Sequence, residues 1–187
     1  QFVFAEMEGP GCIWRIWSAA PDKGHVRIYL DGAAQPAVDL PFMGYFDLKN
    51  EPFTRPALVH TVAKGWNNYV PIPYQKSCKI VADPNWGNYF HFNYSTFPKG
   101  TVVPTFKREL NVEESAALDK ADSILSQCGS DPTGKRSHAE TVSQAVTVKG
   151  GKIAPVARLK GPRAISALRV KLDVPPSPAD RSVLREL

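Results

Sequence analysis

Aromatic residues are missing from the C-terminal part of this sequence. Its 4 Trp, 6 Tyr and 9 Phe all lie at or before Phe106, and residues 107–187 contain none. Aromatic side chains supply much of the buried area of a core, so residues 138–187 are not expected to fold as an independent domain. Cysteine is also scarce. Cys12, Cys78 and Cys128 are too few and too far apart for a metal framework of paired CxxC type. They are buried free thiols, or one disulfide with a thiol left over. The 4 His are scattered without metal-ligand spacing, and neither a metal nor another cofactor is expected. No apolar run approaches the roughly 18 residues of a membrane span. There is no GxSxG elbow and no phosphate-cradling glycine loop. The net charge of +5 is spread along the chain. Basic residues do not interleave with aromatics in a stripe, which argues against a nucleic-acid partner. Position 1 is Gln rather than Met, so the sequence is expected to begin inside a longer precursor or at a processed end.

The first 107 residues read as short strands: Phe2–Glu8, Cys12–Ser18, Val26–Leu30, Ala37–Leu40, Ala57–Val62, Asn68–Pro73, Ser77–Ala82, Asn88–Ser95 and Thr101–Lys107. They are rich in Val, Ile, Phe, Tyr and Trp and are bounded by Gly, Pro, Asn or Asp. Asp31-Gly32 supplies a tight turn after Val26–Leu30. Strict alternation places Ile13, Arg15 and Trp17 on one strand face and Trp14, Ile16 and Ser18 on the other. This pattern predicts a mainly β protein, an antiparallel jelly-roll sandwich.

A helix interrupts it. Leu118, Ala121, Ile124 and Leu125 recur at helical spacing between Asn111 and Gly129. Asn111 and Glu114 form a capping-box pair, and Gly129 suits the position past the end. Leu118, Ala121 and Leu125 are expected to pack the helix down. Strand patterns resume at Glu140–Val148, Ile153–Lys160 and Ala164–Leu172. There Lys160-Gly161-Pro162 before Ile165–Val170 echoes Glu8-Gly9-Pro10 before Ile13–Trp17. The domain reading is therefore a jelly roll over residues 1–107, a linker helix and loop over 108–137, and the opening strands of a second, truncated jelly roll over 138–187. That second copy stops at Arg185-Glu186-Leu187.

Paired carboxylates are the main catalytic machinery to look for. Glu6, Glu8, Asp22, Asp31, Asp39, Asp47, Glu51 and Asp83 are the candidates before residue 108, and no pair among them stands out. Two constellations suit a ligand better. In Trp14-Arg15-Ile16-Trp17, indole rings can stack on sugar faces and a guanidinium can fork onto hydroxyls or carboxylates. Core tryptophans with an Arg at the rim fit the same residues. In Trp66-Asn67-Asn68-Tyr69 leading to Pro71-Ile72-Pro73-Tyr74-Gln75-Lys76, prolines favour an edge or loop. Trp14, Arg15, Asn68 and Lys76 are the candidate substrate-binding residues; no catalytic residue is assigned.

Several blocks taken together resemble glycoside hydrolase family 172. They are Glu8-Gly9-Pro10-Gly11-Cys12-Ile13-Trp14-Arg15-Ile16-Trp17, Arg27-Ile28-Tyr29-Leu30-Asp31-Gly32, Pro41-Phe42 with Gly44-Tyr45-Phe46, and Asn68-Tyr69-Val70-Pro71-Ile72-Pro73-Tyr74 with Lys76-Ser77. The resemblance implies a double jelly roll assembled as trimers. It also implies an extracytoplasmic, retaining glycosidase acting on fructofuranosides or D-arabinofuranosides. Retention needs two carboxyls about 5–5.5 Å apart. In the family these are two glutamates of the second jelly roll, and neither has a counterpart in this sequence, so residues 1–187 alone are expected to be inactive. A non-catalytic, self-assembling structural jelly roll and a carbohydrate-binding module are the alternative readings.

Overall fold

The structure, a computed structural model, describes residues 2–130 and 137–172. The chain divides into two compact units, Gln1–Ser130 and Asp131–Leu187.

The first unit is an antiparallel β-sandwich carrying one helix. Its strands are β1 (Phe2–Glu8), β2 (Gly11–Pro21), β3 (His25–Leu30), β4 (Val38–Pro41), β5 (Val59–Val62), β6 (Gly65–Asn68), β7 (Ile72–Tyr74), β8 (Ser77–Ala82) and β9 (Gly87–Thr96). Sheet A runs β1-β8-β3-β4. In sheet B, β2 is central. It pairs with β9 along one edge and with β6 and then β7 along the other, and β5 lies outside β6. Inward residues of both sheets, among them Ile13, Ile16, Val26, Ile28, Val38, Val59, Ile72 and Ile80, form one buried core. The segment between β4 and β5 adds a 3-10 turn, Phe42–Tyr45. Tyr45 stacks on Phe53 at 5.4 Å, and Phe53 on Phe106 at 6.4 Å. The mainly β, antiparallel sandwich expected from the sequence is the fold of this unit.

Three local departures have physical causes. The expected strand Asn68–Pro73 is split into β6 and β7, because Pro71 has no N–H and the Asn68 side chain accepts the Val70 N–H at 2.9 Å. The expected strand Thr101–Lys107 is irregular. The Gln75 amide takes the place of a neighbouring strand, donating to Thr101 O at 3.1 Å and accepting from Val103 N at 2.8 Å. A single backbone bond, Phe106 N to Pro73 O at 2.9 Å, anchors the buried Phe106. Finally, β6 itself follows a turn at Ala63 and Lys64, both with positive φ. Neither residue type advertises a turn of that kind.

Helix α1 (Val112–Ser126) begins with the expected capping box, Glu114 N to Asn111 Oδ1 at 2.8 Å and Asn111 N to Glu114 Oε2 at 2.9 Å. It is fastened to the sandwich rather than merely tethered. Leu118 and Ala121 pack against the core. Arg55 Nε donates to Asp119 at 3.0 Å, and Arg55 Nη2 to Ser115 at 2.8 Å. Leu125, expected at the same contact, is 49% exposed, because the polar anchors at Ser115, Asp119 and Asp122 turn the helix to seat the Leu118 and Ala121 side. Among the described residues no helix is long and apolar enough to cross a membrane.

In the second unit the described residues, 137–172, contain neither strand nor helix. The three stretches expected as strands run as irregular chain, with Ile153, Ile165 and Leu168 exposed. Their pattern lacks the aromatic surface that would bury it. Arg163 Nη1 pairs with Glu140 Oε2 at 2.6 Å within this unit. Most of the loop before His138 and the closing Arg185-Glu186-Leu187 lie outside the described residues.

Candidate functional site

The strands of sheet B contain no Asp, no Glu and no Lys; their one permanently charged side chain is Arg15. Sheet A is different. There Arg27 donates to Asp39 at 2.9 Å and to Asp83 at 2.9 Å. Its partnership with Asp83, which outweighs the cost of burial, raises the Arg27 pKa further, and the Arg27 guanidinium holds the Asp83 carboxyl below its ordinary range.

Arg15 is held by neutral groups instead. Its Nε and Nη2 donate to Asn67 Oδ1 at 3.1 and 2.9 Å, and Nη1 reaches Asn93 Oδ1 at 3.4 Å. Among the described residues it forms no ion pair. The guanidinium carbon lies 5.8 Å from the Trp17 ring and 5.7 Å from the Tyr69 ring, within the range of cation–π attraction. Trp17 packs on His91 at 5.0 Å, and Tyr69 stacks on His60 at 5.8 Å. A ladder His60–Tyr69–Arg15–Trp17–His91 therefore crosses the outer face of sheet B.

The backbone explains how this cluster is built. Trp17 is paired with Asn67 on β6 and with His91 on β9, so the three side chains leave the same face. Gly65 supplies the clearance: a Cβ there would collide with the Trp17 indole. The Asn67 amide also donates to Gly65 O at 3.0 Å. With both ends of its amide occupied and Arg15 lying over it, Asn67 is only 2% exposed although it faces outward.

A register shift in the β2–β9 ladder falls between Ile13 and Arg15, making Trp14 the extra residue of a β-bulge. Strict alternation placed Trp14 with the inward Ile16. The bulge instead throws Trp14 out to 45% exposure, where it meets Phe97 edge-on at 6.3 Å. Trp14 and Arg15 thus stand in sequence on the exposed side of the sandwich.

Asn68 goes the other way and does not belong to the site. Paired with inward-facing Ile16, it is 1% exposed, and its amide bridges Tyr45 O at 2.7 Å and Val70 N at 2.9 Å. Its role is to hold the core crossing. Lys76 lies in the turn between β7 and β8, where its backbone N–H donates to Asp31 at 2.5 Å. No side-chain hydrogen bond joins it to Arg15 among the described residues. His91 and Asn93 enter the cluster from β9 without any signal in the sequence; Asn67 and Tyr69 sit in the aromatic–amide block that carried one.

The carboxylates singled out from the sequence are largely engaged in structural work. Asp31 accepts backbone N–H groups from Gln75, Lys76 and Ser77 and the Thr105 hydroxyl. Asp39 and Asp83 serve Arg27, and Glu51 serves Arg55 at 2.7 Å. An open depression of about 580 Å³ lies elsewhere on this unit, lined by Ala37, Glu51, Phe106, Lys107, Arg108 and Glu109. Among the described residues no group of His, Cys, Asp and Glu is arranged to hold a metal ion.

The fold and its outer face define this unit as an antiparallel β-sandwich with a polar–aromatic surface on sheet B. Residues 1–114 match the family model described as the GH172 first beta-sandwich domain, well over half of the 187 residues. The chain therefore belongs to glycoside hydrolase family 172. No curated protein matches it.

Proposed function

We propose that this chain is part of a retaining furanosidase, acting on fructofuranosides or D-arabinofuranosides, in which the sandwich of residues 2–107 provides a saccharide-facing surface rather than the catalytic carboxylates. Membership of the glycoside hydrolase family carries the reading. The carboxylates support the division of labour. A retaining enzyme needs one carboxyl kept protonated as general acid beside a second as nucleophile. Asp31 and Asp83 are both held below the ordinary carboxylate range, and both are bound into structural contacts. Trp14, Arg15 and Trp17 form the surface offered to sugar. The exposed aliphatics of residues 137–172 suit burial against another copy or another part of the polypeptide, in keeping with a trimeric assembly. An extracytoplasmic location fits the glycan substrates of such an enzyme.

The test is hydrolysis of aryl furanosides of arabinose and fructose by the natural polypeptide carrying these residues and by residues 1–187 alone. The anomer first released is read by NMR. Retention by the natural polypeptide with no turnover by residues 1–187 is expected. Equal turnover by both would place the catalytic pair within this chain and return attention to Glu6, Asp47 and Glu51. A carbohydrate-binding reading is favoured by the exposed Trp14 beside Arg15, and sugar binding without turnover by either form would establish it.

A further inference from the structure

We infer that Arg15 and the rings around it bind the carboxylate of an acidic saccharide, a uronic-acid residue within a glycan chain. The inference deepens the saccharide-facing reading of this surface and rests on it.

The argument begins with charge. Arg15 is the lone permanent charge on five strands, and its protein partners are neutral amides. Arg27, on the opposite sheet, has two carboxylates at 2.9 Å. Arg27 is thus neutralised within its own sheet, whereas the partners of Arg15 satisfy hydrogen bonds without supplying a negative charge. Among the described residues the Arg15 charge has no carboxylate partner.

The second step is donor arithmetic. A guanidinium has five N–H donors. Nε and one N–H of Nη2 go to Asn67, and one N–H of Nη1 goes to Asn93. Among the described residues one N–H remains on each terminal nitrogen, both in the guanidinium plane. These two donors are available to the oxygens of a carboxylate.

The third step is preorganisation. Asn67 is buried and already committed to Gly65, so it fixes the guanidinium plane before any ligand arrives. Trp17 and Tyr69 hold it from the sides. Little side-chain entropy is left to lose on binding. The bulge at Trp14 puts an exposed indole next to Arg15 in sequence, a surface for the sugar ring that bears the carboxylate.

The experiment titrates residues 1–187 with a tetragalacturonate and with its fully methyl-esterified form, followed by calorimetry and by the Arg Nε–H and Trp indole signals in NMR. Millimolar or tighter binding of the acid is expected, at least tenfold tighter than the ester, with the Arg15 Nε–H signal shifting. Arg15→Met should remove that preference and Arg15→Lys should retain part of it. The wild-type NMR shift tests the site even if a variant folds poorly. Equal binding of acid and ester, or binding of neither, overturns the inference. Equal binding of a tetraglutamate peptide also overturns it, by assigning the surface to an acidic protein partner. Furanoside hydrolysis is scored separately: its absence would remove the furanosidase reading while leaving the carboxylate preference measurable.

Discussion

Asp122 of helix α1 accepts the backbone N–H of Ala57 at 2.7 Å, and the same oxygen takes the N–H of Leu58 at 3.1 Å. The helix thereby supplies an acceptor for the chain entering β5, where Leu58 N–H is shared with Arg55 O at 3.1 Å and Leu58 O accepts from Tyr69 N at 2.9 Å. Two charge-assisted bonds depend on one carboxylate. Asp122→Ala should lower the unfolding free energy by about 1.5–3 kcal/mol, measured by urea denaturation. Leu125→Ala on the same helix, at a half-exposed position, should change it by no more than about 0.5 kcal/mol.

Acid sensitivity should centre on Asp31. Partial burial raises its pKa, but the hydrogen bonds from Thr105, Lys76, Ser77 and Gln75 outweigh this and leave it lowered. A carboxyl with a depressed folded pKa contributes stability above its unfolded pKa, about 3.9. That contribution is lost as pH falls through the lower, folded value. Asp31→Asn should therefore be clearly less stable than wild type at pH 6. The gap should narrow as pH drops below about 4, followed by urea denaturation across that range. A constant gap at every pH would show that the charge of Asp31 is irrelevant.

The three cysteines should differ sharply in reactivity. Cys12 and Cys78 are free and buried, with burial pushing their thiols up to about 11 and about 12. The thiolate is the reactive form, so both should resist iodoacetamide at pH 8. Cys128 is free and exposed. Mass spectrometry should find one label in the native protein and three after denaturation.

The adjacent amides of β6 should separate by function. Asn68→Ala strands the Tyr45 carbonyl and the Val70 N–H in the core and should cost roughly 2–6 kcal/mol, at about 1–3 kcal/mol for each unsatisfied group. Trp14→Ala removes an exposed ring and should leave thermal unfolding nearly unchanged. Differential scanning calorimetry of the two variants checks the contrast.

These amides also mark where reading the sequence stops. Strand composition, turn residues and the Asn111–Glu114 cap are local, acting over a few residues, so most strands and the helix were legible in the chain itself. The lack of aromatics after Phe106 is equally plain in the sequence, yet the strands expected beyond residue 138 were misread, since residues 137–172 have no regular structure. Family membership was legible because several separated blocks occur together in order. The site was legible only in part: its two blocks, Trp14–Trp17 and Trp66–Tyr69, carried a signal, but their joining did not, for a geometric reason. A strand's side chains alternate with period two, so one extra residue or one step of register exchanges inside and outside. The bulge at Trp14 and the pairing of Asn67 with Trp17 are settled only when β2, β6 and β9 dock. Tertiary pairing brought Asn67 to Arg15 from 52 residues away and Asn93 from 78. It also turned Asn68 into the core, because hydrogen-bonded register, rather than residue type, decides which of two neighbouring amides faces water.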